Sequence, residues 1–160
     1  MDIYLIRHGI ALDRSLCRVD SERPLTSGGK KKTTRVAQRL AATGVRCEVI
    51  LTSPLLRARQ TAEILQGVGL AKAIEVFKPL EPGGNWQLWL NWNQVHDYNA
   101  VALVGHQPDL GLWAEQLLWG QAAEKFILKK AGIIGLRVRD RGSPLGSSEL
   151  FLLTAPKWFL

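Results

Sequence analysis

Four short apolar runs, each followed by a stretch of helical periodicity, constrain this 160-residue chain more than any other feature. Ile3–Ile6, Cys47–Leu51, Ile74–Phe77 and Ala100–Val104 have the length and composition of strands, the third being the weakest. Apolar, β-branched runs of this kind suit strands buried on both faces, as in parallel sheets. Between them lie helical patterns: one opening at Pro24-Leu25-Thr26, then Pro54–Gln66, Trp86–His96 and Leu110–Leu118. Such alternation predicts an α/β fold, a three-layer α/β/α sandwich with a mainly parallel central sheet. Beyond Gly120 the pattern changes to a β-rich C-terminal tail. Phe126–Leu128, Ile133–Val138 and Glu149–Leu153 read as strands without intervening helices. The Gly-, Ser- and Pro-rich segment from Arg141 to Ser148 suits a hairpin connection. No repeat or linker divides the chain, so residues 1–160 are expected to form one domain.

The helical segments carry their own punctuation. Thr26 is placed to cap the first, whose apolar stripe is Ala37, Leu40 and Ala41, and Gly44 ends it. In the second, Leu55, Ala58, Ala62 and Leu65 recur at spacings of three and four. Trp86, Trp89 and Trp92 share that spacing and read as packing residues rather than base-stacking platforms.

The hydrophobic fraction of 46% and charged fraction of 22% are ordinary for a globular protein. The net charge of +7 is less ordinary and calls for an anionic partner without identifying it, nucleic acid and a phosphorylated acidic protein being two candidates. Much of the excess sits in Lys30-Lys31-Lys32 with Arg35 and Arg39, and in the run Arg137 to Arg141. With neither a secretory signal pattern nor a membrane-length apolar run, the chain is expected to be cytoplasmic and without a membrane partner. Cys17 and Cys47 are then reduced thiols.

Reactive side chains gather at strand ends. Arg7-His8-Gly9 closes the first strand, Gly105-His106 closes the fourth, and Ser53-Pro54-Leu55-Leu56-Arg57 follows the second. A parallel sheet brings all three to the edge where such folds bind ligands. Two arginines, two histidines and a helix N-terminus suit a dianionic phosphoryl group. His8 reads as a nucleophile toward phosphorus, Arg7 as a clamp on its oxygens, and Gly9 as a sharp turn or close approach. Arg57 and Arg59 are two apart on a helix, so only one can face the site. His96 reads as structural and Asp109 as a helix cap. Cys17 and Arg23 have the Cys-x5-Arg spacing of cysteine-dependent phosphatases. Asp20 and Glu22 inside that segment would repel a dianion, however, and it lacks glycine.

The chain resembles the histidine phosphatase superfamily, and within it the short phosphohistidine phosphatases of the SixA type. The resemblance rests on Leu5-Ile6-Arg7-His8-Gly9, Arg23-Pro24-Leu25-Thr26-x-x-Gly29, Ser53-Pro54-x-x-Arg57-Ala58-x-Gln60-Thr61-Ala62 and Val104-Gly105-His106. It implies a phosphoglycerate mutase-like fold, a covalent phosphoryl intermediate on His8, and no metal or cofactor. Arg7, Arg57 and His106 would hold the non-bridging oxygens, with Gly9 and Ser53 also at the phosphate; Ser53 caps its helix, donates to phosphate, or both. The family register selects Arg57 over Arg59. Larger relatives use an acid after the third strand, so Glu81 is either a general acid or a solvated loop carboxylate. The implied partner is a phosphohistidine protein of the phosphotransfer-domain type, without nucleic acid. The alternatives are a small-molecule phosphomonoesterase of the same superfamily, and a non-catalytic module that binds phosphate or nucleic acid.

Overall fold

The apolar run after Met1 forms β1 (Asp2–Arg7), whose four central residues are all buried. The computed structural model describes residues 1–160 and continues with α1 (Ser27–Ala42), β2 (Cys47–Thr52), α2 (Leu56–Gly67) and β3 (Ala71–Val76). Then come α3 (Trp86–Val95), β4 (Ala100–Gly105), α4 (Asp109–Trp119), β5 (Ile133–Arg137) and β6 (Glu149–Thr154). One six-stranded sheet runs in the order β3-β2-β4-β1-β5-β6. Its first four members are parallel; β5 is antiparallel to β1, and β6 to β5.

Alternation along β1 assigns its side chains to two cores. Ile3 and Leu5 pack with Trp89, Leu90, Leu110 and Trp113 on the α3/α4 face. Tyr4 and Ile6 pack with Val36, Leu40, Ala58 and Leu65 on the α1/α2 face. The three-layer α/β/α sandwich follows directly from this double burial. Thr26 caps α1 by accepting the Gly29 N–H at 2.9 Å. Gly44, just beyond it, adopts φ +87°, a conformation that favours glycine.

The structure departs from the sequence pattern at three places. β3 starts at Ala71 rather than Ile74, because its register with β2 runs from Cys47↔Ala71 to Thr52↔Val76. It is an edge strand with largely exposed side chains, so its pattern is weak. Asp109 is not a cap: Pro108 holds that position, and the Asp109 carboxylate accepts the Gly83 N–H at 3.1 Å.

The third departure is Phe126–Leu128, which is not a strand. Its backbone groups are taken by side chains instead of a ladder. Glu115, fully buried on α4, accepts the N–H groups of Ala123, Glu124, Lys125 and Phe126. Gln107 donates to the Phe126 carbonyl at 2.8 Å and accepts from Leu128 N–H at 3.2 Å. Burial alone would raise the Glu115 pKa, but the four N–H donors outweigh it and hold the carboxylate below its ordinary value. Glu115→Gln would set an amide against those donors. It should cost roughly 2–4 kcal/mol of stability in urea unfolding at pH 7. A group with a depressed folded pKa stabilises above its unfolded pKa, and that contribution is lost as pH falls through the folded value. The gap between wild type and variant should therefore narrow in acid; an unchanged gap would contradict the role.

The cationic tail is largely neutralised. Arg137 pairs with Asp2 at 2.8 Å, Arg139 with Glu149 at 2.8 Å and Arg141 with Asp97 at 2.9 Å. No helix is long and apolar enough to cross a membrane.

Candidate active site

Because β1, β2 and β4 are parallel, their carboxyl ends lie side by side. His8 N–H donates to the Gly105 carbonyl at 3.1 Å, and Ser53 N–H to the Val104 carbonyl at 2.9 Å. The end of β1 thereby brings Arg7 and His8, the end of β2 brings Ser53, and the end of β4 brings His106. Arg57 stands in the first turn of α2, buried, while Arg59 is exposed.

His8 is 5% exposed. Its Nδ1 lies 2.7 Å from the Gly9 carbonyl, an acceptor only, so Nδ1 carries the proton and donates. Nε2 is then the unprotonated nitrogen, and Arg57 Nε–H donates to its lone pair at 3.3 Å. Burial, followed by the nearby His106, Arg57 and Arg7, pushes the His8 pKa down to about 3 against the opposing Gly9 bond. The ring is therefore neutral at physiological pH. The His106 ring centre lies 5.1 Å from that of His8. Burial and the Arg57 charge lower its pKa to about 4.

His106 Nε2 is 2.9 Å from Ser53 Oγ. That oxygen already accepts the Leu55 N–H at 3.3 Å, which leaves its own proton able to donate to Nε2. In that arrangement the His106 ring proton sits on Nδ1. Ser53 thus serves both the chain entering α2 and the orientation of His106. Arg7 donates through Nη1 to the Leu128 carbonyl at 2.6 Å, while its Nε is buried without a hydrogen-bond partner. An unpaired buried donor of this kind is a place for an anionic oxygen.

Sequence reasoning missed Asp20. Its charge in the sequence suggests repulsion of a phosphate, yet it binds the outer edge of Arg57. Its carbonyl accepts from Arg57 Nη1 at 2.8 Å and its carboxylate from Nη2 at 3.2 Å. The same carboxylate pairs with Arg14 at 3.1 Å and Arg23 at 2.9 Å. Burial would raise its pKa, but the Arg23 hydrogen bond and the Arg57 charge prevail and hold it at about 2. Asp20 thus fixes Arg57 while leaving Nε directed at His8. The available signal was Arg23, three residues on, in a loop rich in arginine.

Gly9 contributes closeness rather than a free donor. Its N–H is committed to Thr61 Oγ1 at 3.0 Å, and a Cβ there would overlap the Thr33 hydroxyl. Glu81 follows a short 3-10 turn, Lys78–Leu80, and lines a shallow hollow with Lys78, Asn85 and Leu88. It shares no hydrogen bond with Arg7, His8, Arg57 or His106. His96 is remote from them, stacked on Trp92 and Tyr98. No three His, Cys, Asp or Glu side chains converge as a metal site would require.

With His8 and His106 both neutral, their ring signals should stay unchanged in an NMR titration from pH 8 to pH 6. Titration of either near its ordinary value of about 6.5 would contradict the buried, neutral assignment.

A neutral imidazole lone pair that meets a guanidinium N–H, beside a second, half-buried arginine, is equipment suited to phosphoryl chemistry. Comparison with known proteins gives the family. The family model "Histidine phosphatase superfamily (branch 1)" matches residues 3–80. The phosphohistidine phosphatase SixA of Escherichia coli K12 is 33% identical over 148 residues, covering 89% of this chain and 90% of that protein. The chain belongs to the histidine phosphatase superfamily, and its enzyme class is that of a hydrolytic phosphatase. The solved structure of the protein histidine phosphatase SixA complexed with tungstate superposes with a TM-score of 0.87 at 27% identity, covering 100% of both chains. Within the superfamily, then, this is a SixA-type histidine phosphatase with the phosphoglycerate mutase-like fold. An uncharacterized protein of Picosynechococcus sp. is 52% identical over 165 residues, covering 100% of this chain and 99% of that protein.

Proposed function

We propose that this protein removes the phosphoryl group from phosphohistidine on a signalling protein of the phosphotransfer type, in the cytoplasm, as one domain spanning residues 1–160. The observation that carries the reading is the His8 ring: neutral, fixed in one tautomer by Gly9, with Nε2 held by Arg57. As Arg57 Nε–H turns from the Nε2 lone pair to a phosphoryl oxygen, Nε2 attacks phosphorus in line, a P–N bond forms to His8, and the P–N bond to the substrate imidazole breaks. The departing ring takes a proton from solvent. Water then attacks the same phosphorus, and the electron pair returns to Nε2 as phosphate leaves. Arg7 Nε, Arg57 Nε and His106 Nδ1 donate to the non-bridging oxygens, where charge must be offset in the transition state. Ser53 orients His106, and Gly9 holds the strand end against α1 and α2.

The substrate side of the argument rests on the leaving group. Imidazole, with a reference pKa of about 6.5, departs far more readily than an alkoxide, so a dedicated acid is dispensable. The test is phosphate release from phosphohistidine proteins, phosphoimidazole and alkyl phosphate esters, for wild type and Glu81→Gln. The expected result is preference for phosphohistidine, with rates in the variant within about twofold of wild type. A preference for alkyl esters that disappears in Glu81→Gln would instead identify a small-molecule phosphomonoesterase with Glu81 as its general acid.

A further inference from the structure

Four lysines from separate parts of the chain meet in one surface cleft. This cleft of about 510 Å³ is lined by Lys32 of α1, Lys129 and Lys130 before β5, and Lys157 after β6. None of these lysines forms a salt bridge, in contrast to the arginines of the tail. Ile10 and Pro156 supply apolar wall. Beyond Lys129 the surface continues into a groove containing Ile127 and Leu153, which are 68% and 55% exposed.

Short backbone connections join the lining of the cleft to the strand end that carries His8. Ile10 is two residues further along the chain. Ala131 N–H donates to the carbonyls of Arg7 and His8 at 3.0 and 3.1 Å, and the Leu128 carbonyl accepts from Arg7 at 2.6 Å. Lys129 and Lys130 are therefore suspended between two anchor points on the catalytic strand. Burial, with the Arg7, Arg23 and Arg57 charges, lowers the Lys130 pKa, while Asp13 opposes this without pairing with it. Compact ammonium groups along an apolar wall match carboxylates interspersed with aliphatic side chains. Single-stranded nucleic acid would call for a series of stacking platforms along a cationic groove; Ile10 and Pro156 offer none, and the one exposed ring beside the cleft, Trp158, already carries the Lys157 ammonium over its face at 5.2 Å.

We propose that this lysine cleft docks an acidic, apolar-bearing segment of the phosphoprotein whose phosphohistidine is presented to His8; the proposal rests on the phosphohistidine reading above. Because Lys129 and Lys130 lie between two tethers to the strand end, residues flanking a phosphohistidine ring seated at His8 come within reach of their side chains. The cleft thereby supplies selectivity for the protein, and the strand ends supply the chemistry.

The test uses two synthetic phosphohistidine peptides, one flanked by Glu and Leu, the other by Gln and Leu, together with phosphoimidazole. Wild type is compared with the triple variant Lys32→Glu/Lys129→Glu/Lys157→Glu. Lys130 is left intact because it lies nearest Arg7. At low ionic strength wild type should turn over the acidic peptide with a kcat/KM about tenfold or more above the neutral one, a gap that closes in high salt. The triple variant should lose or invert this preference while its rate on phosphoimidazole stays within about twofold. Equal rates on both peptides in wild type, or a preference that survives the triple substitution, would overturn the docking proposal. So would stronger inhibition by single-stranded DNA than by polyglutamate. Should wild type fail to cleave phosphoimidazole, the phosphohistidine reading falls. Direct binding of polyglutamate, weakened or unchanged in the triple variant, then still decides the cleft.

Discussion

His8→Ala should reduce phosphate release by about 10,000-fold or more and abolish the phosphoenzyme, while leaving the protein folded. The size of the effect follows from the absence of a substitute nucleophile. His106 Nε2 is engaged by Ser53, and its ring is set apart from that of His8 by 5.1 Å between centres. Water could attack the substrate directly, but only with the help of Arg7 and Arg57, so residual turnover should be small. The measurement is a rapid alkaline quench during turnover with labelled phosphohistidine protein, followed by a search for an acid-labile adduct on the enzyme. An adduct that forms equally well in His8→Ala would end the covalent mechanism. Retained binding of inorganic phosphate in the variant would show that the cations still assemble.

Arg57→Ala should lower kcat/KM by about 1,000-fold, and Arg57→Lys by about 100-fold. Alanine removes the donor aimed at His8 Nε2 and also strips Asp20 of one of its three arginine partners. Lysine restores a positive charge but not the planar fork. One ammonium cannot hold the Asp20 carbonyl and carboxylate at 2.8 and 3.2 Å and still reach the reacting nitrogen. Weakened inhibition by inorganic phosphate should accompany both losses. A lysine variant with wild-type rates would mean that charge alone suffices and that Asp20 has no positioning role.

Much of this arrangement was legible in the residues, and the exceptions share a physical cause. Ile3–Ile6 and Ala100–Val104 are buried on both faces, so uninterrupted apolar composition reveals them as central strands. Arg7, His8, Arg57 and His106 fall at strand ends or the first helical turn, where topology alone brings them together. What depends on side chains meeting across the chain stayed hidden. Asp20 reads as a loop acid until the loop folds back on Arg57, thirty-seven residues away. Phe126–Leu128 has strand composition, yet Glu115 and Gln107 occupy its backbone groups first. The arginines of the tail read as an exposed cationic run until Asp2, Asp97 and Glu149 are seen opposite them.

The reversal of direction at β5 has its own consequence. In a uniformly parallel sheet only the loops leaving each strand reach the reactive edge. Since β5 runs opposite to β1, the segment arriving at β5 comes to that edge instead, and Gly132 accepts the Arg7 N–H there at 3.0 Å. Departing segments hold His8, Arg57 and His106, whereas an arriving one brings Lys129 and Lys130 to the same side of the sheet. Its backbone at Leu128, Ala131 and Gly132 is tied to Arg7 and His8, whereas the side chains of Lys129 and Lys130 are not, so charge can change there without disturbing the strand end. Descendants of one ancestor could acquire new clients along this approach while inheriting the reaction unchanged.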